Sequence, residues 1–164
     1  MEYQAKFEPE KDGGFVVTFP DFGYGVTQGD DQQEATNNAA EVIQLMIEDH
    51  IRAGKVLPRP KVHRGSLFRS VRLPLLTVVK AELHSIFLRA GITKAELAKR
   101  LGMPRMNVDR LFDVHHNSRL DQLEAAFEAL EGRVEIGVKP LAHTGIRVAA
   151  SGRVPERSAR RQRV

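Results

Sequence analysis

The segment ITKAELAKRLGMPRMNVDRLF, residues 92–112, constrains this chain more than any other. Thr93 is a good N-cap, and Glu96 stands three residues on, where a capping box needs its carboxylate. The short helix that follows carries Leu97 and Ala98 on its inner side. Gly102 then supplies a residue that accepts positive φ, as a sharp connection demands. Pro104 is expected at the first position of the next helix, where its missing N–H has no partner to lose. In that helix Val108, Leu111 and Phe112 form the packed side. Helices flank the pair. LLTVVKAELHSIFLRAG runs to Gly91 with Val79, Leu83, Ile86 and Phe87 facing in, and SRLDQLEAAFEALEG is expected to start from a Ser118 cap with Leu120, Leu123, Ala126, Phe127 and Leu130 as its apolar stripe. The alternation of Val134, Ile136 and Val138 predicts a terminal strand over residues 133–139.

The central pair resembles the helix-turn-helix of phage repressors of the Cro and C1 type. That resemblance implies that the second helix lies in the major groove of double-stranded DNA with its first residues at base edges. By position it puts Arg105, Met106 and Asn107 at the groove, Arg110 one turn later, and Lys94 at the start of the preceding helix. Arginine pairs bidentately with guanine and asparagine with adenine, and Lys94 would take a phosphate or a base.

The first third has a different period. YQAKF puts Tyr3, Ala5 and Phe7 on one face, FVVTF does the same with Phe15, Val17 and Phe19, and EPEKDGG between them supplies turn residues. An antiparallel hairpin follows. Pro20 stops the second strand, Asp21 reads as a turn former, and a short third strand is expected near residues 26–28. Asp30 or Asp31 then caps a helix with Glu34 as the capping-box partner; Ala35, Ala39, Val42, Ile43, Met46, Ile47 and Ile51 recur at spacings of three and four, and Gly54 ends it. One helix on one face of a small sheet is a two-layer unit. KVLPRPKVHRGS, with two prolines, reads as a linker, and LFRSVRLP offers one more strand.

The expected class is therefore α+β, in four parts. Residues 1–54 form a sheet-and-helix unit, 55–73 a linker and strand, 74–141 the helical unit, and 142–164 a disordered Arg-rich tail. Charge follows the same division. Residues 1–64 carry 7 Lys and Arg against 11 Asp and Glu, residues 65–141 carry 12 against 9, and the tail carries six Arg against Glu156 alone. An acidic head suits a basic partner, and a basic middle and tail suit a polyanion. The absence of cysteine excludes disulfides and thiolate metal sites. With no signal-like N-terminus and no run of the ~20 apolar residues that span a bilayer, a cytoplasmic protein without membrane partners is expected.

The strand-proline-aspartate turn, the TQGD entry into the first helix, the strand VRLP and the stretch RLFDVHH together resemble the HicB antitoxins of HicAB toxin–antitoxin systems, over essentially residues 1–141. The resemblance implies a partial RNase-H-like N-terminal fold that binds and covers a HicA-like toxin, itself a small basic mRNA-cleaving protein with a catalytic histidine. It further implies that the C-terminal domain binds the operator of its own operon as a homodimer or homotetramer. A stand-alone regulator with a ligand-sensing N-terminal domain is the alternative. No catalytic residues, cofactor or metal are assigned. Two-metal cleavage requires carboxylates converging on ions ~4 Å apart, whereas Asp12, Asp21, Asp30, Asp31 and Glu41 are spread over turns, a cap and a helix. In DVHHNS, adjacent histidines point apart and no third ligand stands at helical spacing, so His115, His116 and Asn117 read as helix-end positions near backbone phosphate.

Overall fold

The computed structural model describes residues 1–137. Strands β1 (Tyr3–Pro9) and β2 (Phe15–Thr18) form the hairpin, β3 (Val26–Gly29) lies outside β2, and β4 (Phe68–Val71) closes the other side of β1. The sheet is antiparallel throughout, in the order β3-β2-β1-β4. Its register opposes Phe7 to Val17 and Tyr3 to Val71. Because strand side chains alternate between faces, Tyr3, Ala5, Phe7, Val17 and Val71 all turn to one side, where helix α1 (Gln32–Arg52) covers them. That helix contributes Ala35, Ala39, Ile43, Met46 and Ile47, and the two sets make the first core.

Asp31 is the N-cap of α1: its carboxylate accepts from the Glu34 N–H at 2.8 Å, and the Glu34 carboxylate reaches back to the Asp30 N–H at 2.8 Å. Gly29 is what lets β3 approach this turn. A Cβ there would stand 2.3 Å from the Ala35 nitrogen and 2.7 Å from its Cα.

Helices α2 (Leu75–Ala90), α3 (Lys94–Leu101), α4 (Arg105–Phe112) and α5 (Leu120–Ala129) build the second core from Val79, Leu83, Leu97, Ala98, Val108, Leu111, Phe112, Leu123, Ala126, Phe127 and Leu130. Thr93 caps α3 through the Glu96 N–H at 3.1 Å, and Gly102 ends it at φ 61°. Residues Met1–Val134 form one compact unit that holds both cores. Ala81 of α2 and Val114, just past α4, belong to the first core rather than the second.

Four local expectations need correction. Pro104 is the N-cap of α4, with ψ 145°, so the helix begins one residue later than expected. Arg119, not Ser118, is the N-cap of α5, because the Ser118 hydroxyl donates to the Arg110 carbonyl at 3.2 Å instead. Leu120 is 49% exposed and so stands outside the stripe it was expected to join. Over residues 133–137 the terminal strand is not formed; no neighbouring strand among the described residues pairs its backbone groups. Its last residues, and the tail at 142–164, lie outside the described residues.

Candidate functional site

Helices α3 and α4 meet through residues 102–104, with Leu97 and Ala98 packed against Val108, Leu111 and Phe112. Burying Val108, Leu111 and Phe112 forces the opposite side of α4 outward, since helical neighbours lie three and four apart. Arg105, Met106, Asp109 and Arg110 are exposed there, Met106 at 65%. The Arg110 guanidinium approaches the Met106 sulfur at 3.9 Å. Asn107 is half-buried, and its N–H donates to the Pro104 carbonyl at 2.9 Å.

Lys94 sits differently from the other four sequence candidates. Its Nζ donates to Asp109 Oδ1 at 2.8 Å and lies 5.3 Å from the centre of the Phe112 ring. The structure thus brings Arg105, Met106 and Arg110 onto one exposed helix face, and ties Lys94 to that helix from α3. This face presents two guanidiniums and an apolar side chain to solvent.

At the other end of the chain, the β1–β2 turn lies beside the start of α1. A Cβ on Gly14 would stand 2.7 Å from the Gly29 carbonyl oxygen. Glu10, Asp12, Asp30, Asp31 and Glu34 are all exposed near this end of the sheet. Among the described residues, no three His, Asp or Glu side chains come together in a group that could hold a metal ion.

Asp21 does more than turn the chain. Its side chain is 1% exposed, and its carboxylate accepts from the Lys61 N–H at 3.2 Å and meets His63 Nε2 at 2.8 Å. His63 in turn stacks on Phe68 at 5.1 Å and donates its backbone N–H to Gln4 at 2.6 Å. The Tyr3 hydroxyl donates to the Pro58 carbonyl at 2.8 Å, and burial, with Asp21 and Glu82 nearby, pushes its pKa up. The segment between α1 and β4 is therefore pinned to the sheet at several points.

Two buried titratable residues of α2 escaped sequence reasoning. Lys80 is fully buried and His84 is 2% exposed. His84 Nε2 lies 2.9 Å from the Lys55 carbonyl, so the ring donates from that nitrogen; burial lowers its pKa, the bond to Lys55 opposes this, and Lys94 and His50 add to the lowering. A signal for both residues exists. Thr77, Lys80, Ala81 and His84 follow the three-and-four spacing of a second buried face, which Ala81 marks.

His115 Nε2 meets Glu48 Oε2 at 3.0 Å, and Glu48 also pairs with Arg52. The His116 carbonyl accepts from Lys80 at 2.6 Å. No helix among the described residues is long and apolar enough to cross a membrane.

The known proteins whose sequences this chain resembles are of one class. Residues 2–82 match a family model described as the HicB-like antitoxin of bacterial toxin–antitoxin systems. Antitoxin HicB of Escherichia coli K12 is 31% identical over 130 residues, covering 79% of this chain and 94% of that protein. Antitoxin HicB 1 of Photorhabdus laumondii is 29% identical over 140 residues, covering 85% of this chain and 88% of its own. Antitoxin HicB of Pseudomonas fluorescens is 32% identical over 111 residues, covering 68% and 76%. A solved toxin–antitoxin complex from Streptococcus pneumoniae is 20% identical, with a TM-score of 0.39, over 65% of this chain and 92% of that one. The chain is an antitoxin of the toxin–antitoxin kind, not an enzyme. It belongs to the HicB antitoxin family.

Proposed function

We propose that this antitoxin binds and masks a small, basic, mRNA-cleaving toxin of the HicA kind through residues 1–54, and represses its own operon by holding operator DNA through residues 74–141. The observation that carries the second half of this reading is the exposed face of α4, where Arg105, Met106 and Arg110 stand together. Family membership and the acidic end of the sheet support the first half, since exposed carboxylates attract a cationic RNA-binding partner and speed its docking. The head is then a partial RNase-H-like fold used as a cover, and α3 with α4 is a helix-turn-helix. A two-fold operator calls for at least a homodimer, with a homotetramer the larger assembly. Masking a toxin that cuts mRNA places the work in the cytoplasm.

Arg105→Ala tests the DNA half. Arg105 is exposed, so its loss leaves the melting temperature unchanged. Operator binding should weaken by about 1–3 kcal/mol and sequence preference should relax at one base pair. Gel-shift titration against operator and random duplexes reads both. An unchanged preference for operator would remove Arg105 from the interface.

A further inference from the structure

The ammonium of Lys80 has three N–H groups and meets three carbonyl oxygens: Arg110 at 3.1 Å, Asp113 at 2.5 Å and His116 at 2.6 Å. Arg110 lies in the last turn of α4 and Asp113 is its C-cap. The final carbonyls of a helix have no partner within it, and they carry the negative end of its dipole. A cation delivered from α2 satisfies both needs at once. Among the described residues no carboxylate pairs with it directly, and the Asp113 side chain accepts the His115 N–H at 3.0 Å. Burial lowers the Lys80 pKa, and Asp113 opposes that.

A buried charge is a costly way to hold a loop, and an apolar side chain of similar volume is often as stable or more so. What the lysine adds is direction. Its three donors fix where the last turn of α4 and residues 113–116 stand relative to α2. The same loop is gripped from the other side, since Val114 packs in the first core and His115 meets Glu48 of α1. The end of α4 is thus clamped between α1 and α2.

We propose that Lys80 is a positioning residue for the DNA-reading helix, setting the aim of Arg105 and Arg110 so that discrimination between operator and other DNA depends on it. This rests on the DNA-binding reading above. Binding groups act only when held near their productive geometry, so a loosened helix end loses base readout before it loses phosphate attraction.

The test uses the full chain with Lys80→Met, with Lys80→Gln as the milder variant should the first not fold, and with Gly29→Ala as a destabilised control whose lesion lies at the first turn of α1, away from Glu48 and Val114. Amide hydrogen exchange is followed well below the melting temperature, and affinity is measured for a duplex spanning the promoter of the protein's own operon and for a random duplex of equal length. Exchange over residues 110–118 should quicken about tenfold relative to α3 in the Lys80 variants. The ratio of promoter to random affinity should fall about tenfold, with random-duplex affinity little changed. Gly29→Ala should lower the melting temperature and leave the ratio alone. Retention of the ratio in the Lys80 variants, or its equal loss in Gly29→Ala, overturns the proposal. If the unaltered protein itself shows no promoter preference, the DNA reading fails, and exchange alone then decides whether Lys80 positions α4: unchanged exchange refutes it and quickened exchange upholds it.

Discussion

Gly29→Ala should cost the fold about 3 kcal/mol and lower the melting temperature by about 10 °C. The reason is steric and local. The added methyl would stand 2.3 Å from the Ala35 nitrogen, 2.7 Å from its Cα and 2.9 Å from the Glu34 carbonyl carbon, all of them backbone atoms in the first turn of α1. A flexible side chain can swing aside, but a capped helix turn cannot. To make room, β3 must move off the turn that Asp31 and Glu34 hold closed, or that turn must open and lose its 2.8 Å bonds. Either movement also strips partners from Ala35 and Ala39, which are fully buried. Thermal melting followed by circular dichroism measures the effect. A melting temperature within a degree or two of the unaltered protein would mean that β3 does not approach α1 this closely. Gly14 sits in the same contact, with φ 82° and its own approach to the Gly29 carbonyl, so it is subject to strain of a second kind.

Leu97→Ala should destabilise the helical half by about 2–5 kcal/mol. Leu97 is fully buried in the second core, on the helix that packs against α4, and removing its side chain leaves a cavity that Val108, Leu111 and Phe112 can fill only by shifting α4. Against a total stability of roughly 5–15 kcal/mol, that is a large fraction. The effect on DNA binding should differ in kind from that of Arg105→Ala. If the proposed DNA-binding role holds, Leu97→Ala should lower the melting temperature and lose operator affinity steeply on warming, whereas Arg105→Ala should lower affinity at every temperature and leave the melt alone. Parallel melts and binding titrations separate the two. Equal melting temperatures for Leu97→Ala and the unaltered chain would contradict the packing described for α3 and α4.

Much of the fold is legible in the sequence, because it rests on signals that act over a few residues. Alternation in YQAKF and FVVTF places Tyr3, Phe7 and Val17 correctly inside, and the spacing of Ala35, Ala39, Ile43 and Met46 draws the buried face of α1. The Asp31 and Glu34 pairing, the Thr93 cap and the turn at Gly102 are local chemistry of the same order. Sequence reasoning loses its grip where partners are far apart along the chain. Asp21 meets His63 across 42 residues, and Lys80 reaches Arg110 across 30; read locally, the first is a turn former and the second draws no assignment. Ser118 shows the same limit on a smaller scale: it has the composition of a cap, but its hydroxyl is turned to the Arg110 carbonyl, eight residues back. The exposed side of α4 is legible as a helix face, since the buried positions 108, 111 and 112 define it by exclusion. The tie between Lys94 and Asp109 is not, because it depends on how two helices cross.

The central proposal, that this antitoxin acts by covering an mRNA-cleaving partner, is tested most directly by adding the purified protein to its cognate toxin of the HicA kind and following cleavage of a defined mRNA. Cleavage should fall to background as the two proteins reach equal concentration, with a stable complex eluting together on size exclusion. A toxin that goes on cutting at full rate in an excess of this protein, with the two eluting apart, would contradict the account.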